Sequence, residues 1–86
     1  MARLLTIHRA IVTRSERQRY LEKLKARQAH YSAAGCNFWV FEEVGLPGAF
    51  IEFTEATEAR KLADAHNAAL DSILDAARIY KEVELS

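Results

Sequence analysis

Asn37-Phe38-Trp39-Val40-Phe41-Glu42-Glu43-Val44-Gly45-Leu46-Pro47-Gly48-Ala49-Phe50-Ile51-Glu52-Phe53-Thr54-Glu55 decides how this chain folds. Two runs of alternating apolar and polar residues flank Gly45-Leu46-Pro47-Gly48, which is turn chemistry, so the stretch reads as a β-hairpin. It holds five of the chain's eight Phe, Trp and Tyr rings. With a regular four-residue turn, Val44 lies opposite Ala49, Glu42 opposite Ile51 and Val40 opposite Phe53. Side chains alternate across a strand. One face then carries Phe38, Val40, Val44, Ala49, Ile51 and Phe53, and the other Trp39, Phe41, Glu43, Phe50, Glu52 and Thr54.

Working outward, Leu4–Val12 reads as a strand, with Leu5, Ile7 and Ile11 on one face and Thr6, His8 and Ala10 on the other. Thr13-Arg14-Ser15-Glu16 starts a helix, in which Thr13 with Glu16, or Ser15 with Gln18, has capping-box spacing. Tyr20, Leu21, Leu24, Gln28 and Tyr31 form a thin stripe at helical spacing. Arg17, Arg19, Lys23, Lys25 and Arg27 take the other side, and Gly35 suits a left-handed cap. After the hairpin, Ala59, Leu62, Ala63, His66, Leu70, Ile73, Leu74 and Ala77 keep a helical period from Thr57. Asn67 and Asp71-Ser72 offer a break, and a short second helix after it. Arg78–Leu85 alternates again as a closing strand, with Ile79, Val83 and Leu85 opposite Tyr80, Glu82 and Glu84.

The order strand, helix, strand, strand, helix, strand is that of an α+β, ferredoxin-like two-layer sandwich. Right-handed crossovers put both helices on one face of a four-stranded antiparallel sheet. Leu5, Ile7, Val40, Ile51, Phe53, Ile79 and Val83 are expected under the helices. The helix-free face is expected to hold Trp39, Phe41, Phe50 and Tyr80, with His8, Glu43, Glu52, Glu82 and Glu84. Four rings in water call for a cover.

Length and composition fit one domain over residues 1–86. A chain this short buries only about 60–65% of its unfolded surface and gains from a partner. Half of its residues are hydrophobic and its formal net charge is zero, which argues against disorder and against general attraction to nucleic acid or anionic lipid. The charge is split, however. Residues 1–36 carry eight Lys and Arg against two Glu, and residues 37–86 carry four against ten Asp and Glu, a division suited to contact between halves or between subunits. Cys36 is alone, the first residues are interrupted by charge too early for a secretory segment, and no apolar run spans a membrane, so a reduced cytoplasmic setting is expected.

In length and element order the chain resembles the dimeric α/β-barrel superfamily, which includes antibiotic-biosynthesis monooxygenase-like and stress-responsive barrel domains. The resemblance rests on the strand Leu4–Val12 and the hairpin Phe38–Phe53 and is one of fold. It implies a homodimer that packs two helix-free sheet faces into a barrel and binds a small hydrophobic or aromatic molecule, with a cofactor-independent monooxygenase or isomerase as the nearest enzyme class. The haem-degrading branch uses an Asn on the first strand, a Trp on the third and a His on the second helix. Here only His66 matches, so haem chemistry is not carried over. Ala49-Phe50-Ile51-Glu52-Phe53 also looks like half of an RNA-recognition-motif signature, but Leu46-Pro47-Gly48 lacks the basic residue and ring of the other half, and the first strand lacks a stacking ring.

The candidate site follows from the expected facing. Glu52 is mid-strand beside Phe50, and a covered carboxylate there is either paired or available as a general acid or base. His8 lies on the neighbouring strand, within reach of Glu52 if the register permits, for proton transfer. Trp39, Phe41 and Phe50 are expected to wall a cavity, with Tyr80 orienting a ligand. No phosphate loop, His/Cys metal spacing or nucleophile–base motif occurs, so neither metal nor cofactor is expected. The alternative is that the ring-rich face is only a subunit interface.

Overall fold

The computed structural model describes residues 3–68 and 78–85. The elements are β1 (Leu4–Ile11), a short 3-10 turn (Arg14–Glu16), α1 (Arg17–Ala33), β2 (Asn37–Glu42), β3 (Ala49–Ala56), α2 (Ala59–Asn67) and β4 (Tyr80–Lys81). The four strands form one antiparallel sheet in the order β2-β3-β1-β4. This is the α+β arrangement expected, compatible with a ferredoxin-like fold. Leu70, Ile73, Leu74 and Ala77, and the second helix from Asp71-Ser72, lie outside the described residues. The closing strand is shorter than Arg78–Leu85, although the Glu82 amide still donates to the Arg3 carbonyl at 2.8 Å.

The core lies between the sheet and the helices. Tyr31 and Leu62 are fully buried there, with Leu24, Phe38, Ala56 and Ala65 around them. The inward stripe of α1 differs from the expected one. Leu24 and Tyr31 are buried and Tyr20 is half-buried, but Gln28 is exposed. Arg17 and Arg27, expected outside, are half-buried and bond to carboxylates of the sheet. Residues 17, 20, 24, 27 and 31 follow alternating steps of three and four, the spacing of one helical face. The expected capping box is not formed. Thr13 opens the 3-10 turn with an extended backbone, and its hydroxyl lies 3.3 Å from that of Ser15. Gly35 does take the left-handed conformation, with φ +80°, and the Cys36 amide returns to the Tyr31 carbonyl at 2.8 Å.

The hairpin register departs from the expected one by a single residue. The Glu43 amide donates to the Ala49 carbonyl at 2.9 Å, and the ladder pairs Glu42 with Phe50, Val40 with Glu52 and Phe38 with Thr54. Val44 therefore belongs to the turn. The connection closes through Leu46 N–H to Glu43 C=O at 3.3 Å and Ala49 N–H to Leu46 C=O at 3.1 Å. Gly48 makes this turn possible. Its φ is +96°, its carbonyl accepts from the Val12 amide at 2.8 Å, and a Cβ here would stand 2.4 Å from the Val12 oxygen.

A one-residue slip moves a strand's side chains to the other face. β2 faces as expected, with Phe38 and Val40 under the helices and Trp39 and Phe41 away from them. β3 and, through its pairing, β1 face the opposite way. Phe50, Glu52, His8 and Thr6 lie on the helix side, while Leu5, Ile7, Ile51 and Phe53 lie on the helix-free side.

The Glu42 carboxylate ties the turn to α1. It accepts from both terminal nitrogens of Arg17, at 2.6 and 2.8 Å, and from the Gly48 amide at 2.8 Å. The hydrogen bond from Arg17, followed by that from Gly48, lowers its pKa to about 2. A lowered carboxyl pKa adds stability that is complete above the ordinary value of 4.5 and is lost as pH falls toward about 2. Glu42→Gln is accordingly expected to lower the urea midpoint at pH 7, with the difference from wild type narrowing at pH 3.

Candidate functional site

Two polar clusters and one apolar face stand out among the described residues. The first cluster is centred on Glu52, which is 2% exposed. Arg27 Nη1 donates to both of its oxygens at 2.8 Å, and the Tyr20 hydroxyl donates to Oε2. Burial, then the hydrogen bond to Glu52, pushes the Tyr20 hydroxyl pKa up, because its anion would sit beside a carboxylate. Phe50, the expected ligand wall, is packed in this layer. Its ring lies 4.8 Å from that of Tyr20 and under the Arg17 guanidinium at 5.4 Å. His8 is the cross-strand partner of Glu52, as the expected proximity required. Both, however, are under the helices and not on the open face, and the carboxylate is held by α1. The open-face placement expected for His8 and Glu52 is therefore corrected: both lie in the sheet–helix layer, where Glu52 is ion-paired with Arg27.

The second cluster was missed from the sequence. His66 of α2 lies between two hydroxyls, with Thr6 Oγ1 2.7 Å from Nε2 and the Tyr31 oxygen 2.8 Å from Nδ1. A neutral imidazole satisfies both, donating from one nitrogen and accepting at the other. Burial, aided by nearby His30, lowers its pKa and favours that neutral form. His30 in turn lies 2.8 Å from the Ala65 carbonyl, and the Tyr31 ring stacks on Phe38 at 5.3 Å. The triad thus joins β1, α1 and α2 in the core. The signal was His66 on an apolar stripe, which marks a buried histidine without naming its partners.

Among the described residues, the helix-free face groups exposed rings with aliphatic side chains. β1 contributes Leu5, Ile7, Arg9 and Ile11, β3 contributes Ile51, Phe53 and Glu55, β2 contributes Trp39 and Phe41, and β4 contributes Tyr80. Phe41 is 58% exposed and Trp39 42%. The Phe41 and Phe53 rings meet edge to face at 5.8 Å. Of the expected ligand-binding residues, the structure groups Trp39, Phe41 and Tyr80 here and removes Phe50; Ile51 and Phe53 take its place. A concavity of about 230 Å³ opens between Leu5, Trp39, Phe53 and Tyr80, with Arg3, Glu55, Lys81 and Glu82 at its margin.

Three residues of that margin, Arg3, Glu55 and Glu82, pair with one another. Arg3 donates to Glu82 from Nε at 3.2 Å and from Nη2 at 3.0 Å, and its Nη1 lies 3.3 Å from Glu55. Glu55 also accepts from Asn37 at 2.8 Å. The Arg3 side chain and amide lower the Glu82 pKa. Among the described residues no three His, Cys, Asp or Glu side chains are placed to hold a metal ion, and no helix is long and apolar enough to cross a membrane. Burial pushes the Cys36 thiol pKa up, which disfavours its thiolate.

The ion pair at Glu52 has a measurable signature. Arg27→Met is expected to cost about 3–5 kcal/mol, because it leaves the buried carboxylate without its cation. Adding Glu52→Leu is expected to recover most of that loss in urea unfolding. A Glu52 that merely faced solvent would make both changes small.

No family model, curated protein or solved structure matches the chain.

Proposed function

We propose that this chain is a self-associating binding domain. Two copies cover each other's helix-free sheet faces and hold a small apolar or aromatic molecule between them. The observation that carries this reading is the composition of that face. Ile7, Ile11, Trp39, Phe41, Ile51, Phe53 and Tyr80 form its surface, with Arg9 among them and Arg3, Glu55 and Glu82 at the margin of its concavity. An apolar face of this kind is costly in water, and covering it offers a driving force of roughly 25 cal/mol per Å².

Strands of eight, six, eight and two residues, at about 3.3 Å per residue and about 4.8 Å apart, give the face a projection of roughly 380 Å². Side-chain relief adds to this, against the ~800 Å² per partner of a standard interface. Aromatic residues with few charges also match the composition of interface centres. Two of the 230 Å³ concavities facing each other would reach the size range of small-molecule sites, roughly 300–1,000 Å³. The paired margin of Arg3, Glu55 and Glu82 leaves aromatic and aliphatic contact as the main recognition chemistry. Binding, not acid–base catalysis, is the activity supported, because Glu52 is engaged by Arg27 and Tyr20 in the opposite layer.

Trp39 is the chain's one tryptophan and reports on this face directly. Sedimentation equilibrium is expected to give a dimer, with Trp39 emission shifting to the blue as concentration rises. Phe41→Glu is expected to raise the dimer dissociation constant by about 30-fold or more, the scale of losing an aromatic anchor. The probe 1-anilinonaphthalene-8-sulfonate should quench Trp39 saturably, and Phe53→Ala should weaken that by about tenfold. A chain that stays monomeric with unchanged emission would refute the reading.

A further inference from the structure

The concavity on the helix-free face combines three ring-bearing walls with two carboxylates. Strand register sets its shape. Glu55, Leu5 and Tyr80 stand in one row across β3, β1 and β4, and Trp39 and Phe53 form the next row on β2 and β3. Leu5 is smaller than the rings around it, and the hollow of about 230 Å³ opens there. β3 and β4 flank β1, so they lie about 10 Å apart. A cation over Leu5 is therefore within reach of both Phe53 and Tyr80, because cation–π attraction extends about 6 Å from a ring centroid.

Glu55 is the buried carboxylate of the pair, with a side chain 10% exposed. One of its oxygens, Oε1, accepts from Asn37 at 2.8 Å. The other, Oε2, is buried and makes no hydrogen bond, and Arg3 Nη1 stands 3.3 Å from it. Water screens the attraction of such a carboxylate for a cation only weakly. Arg3 answers that attraction from the mouth of the hollow, where its side chain is 59% exposed and also holds Glu82. Lys81 is the other cation at the margin. It is exposed, and its pairing with Leu4 directs it to the helix side.

We infer that this concavity takes the quaternary ammonium end of a small ligand, with Trp39, Phe53 and Tyr80 against its methyl groups and Glu55 as the counter-charge. The inference rests on the small-molecule reading above and adds the ligand's charge class. Acceptors for N–H donors are already engaged, Glu82 by Arg3 and Glu55 Oε1 by Asn37. A quaternary ammonium carries no N–H. It needs ring faces, apolar contact and a nearby negative charge, and the hollow offers all three. An anion would meet two carboxylates and the negative faces of the rings.

The test follows Trp39 emission of the full-length chain at fixed ionic strength, titrated with choline or with its uncharged isostere 3,3-dimethyl-1-butanol. Choline is expected to bind saturably and about tenfold more tightly than the alcohol. Glu55→Gln, which keeps an oxygen for Asn37, should remove most of that preference. Arg3→Ala, at an exposed side chain, should strengthen choline binding about threefold, the scale of losing one exposed competing cation. Equal affinity for choline and the alcohol overturns the cation site and leaves an apolar pocket. Weaker choline binding in Arg3→Ala also overturns it. Saturable quenching by 1-anilinonaphthalene-8-sulfonate with no response to choline does the same and keeps the small-molecule reading. No response to any of the three compounds overturns both.

Discussion

A carboxylate buried beneath a helix governs the arrangement of this small domain. Glu52 sits in the middle of β3, a central strand, and receives donors from Arg27 and Tyr20 of α1. An ionised group in that position is tolerated only when its partners are in place. The requirement fixes which side of β3 meets α1, so Phe50 and Thr54 turn inward with Glu52. Ile51 and Phe53 are turned outward by the same alternation. The apolar character of the helix-free face is thus the reverse side of a buried ion pair.

The two layers consequently have unusual contents. The interior between sheet and helices holds hydrogen-bonded polar groups, including Glu52 with Arg27 and His66 with Thr6 and Tyr31. The surface away from the helices holds isoleucines and rings. Satisfied polar groups give the helix packing a defined register, which is their best-attested role inside proteins. Apolar groups left at the surface favour association, which an 86-residue chain needs more than a large one does.

Element order, the antiparallel sheet, the glycine cap at Gly35 and the outward facing of Trp39, Phe41 and Tyr80 were legible in the sequence, since each depends on local periodicity or on a single residue's backbone freedom. The facing of β1 and β3 was not. It depended on whether Val44 belonged to β2 or to the turn, and glycine and proline mark a turn without fixing its length. Residue-type patterning also put Arg17 and Arg27 outside, because arginine usually is. Their spacing with Tyr20, Leu24 and Tyr31 was the available sign that two arginines shared the buried stripe. Glu52 stands out in the sequence as a mid-strand carboxylate that needs a partner if covered; its true face was the part that a one-residue slip concealed.

The central claim is that the slip in the hairpin turns Ile51 and Phe53 outward, toward a second copy. Isotope-filtered NOE spectroscopy on a mixture of labelled and unlabelled chains tests it most directly. The account predicts intermolecular contacts from the Ile51 methyls to Trp39, Phe41 or Phe53 rings, and only intramolecular contacts for Phe50, to Tyr20. Intermolecular contacts at Phe50, or none at Ile51 and Phe53 in a sample known to be dimeric, would contradict it.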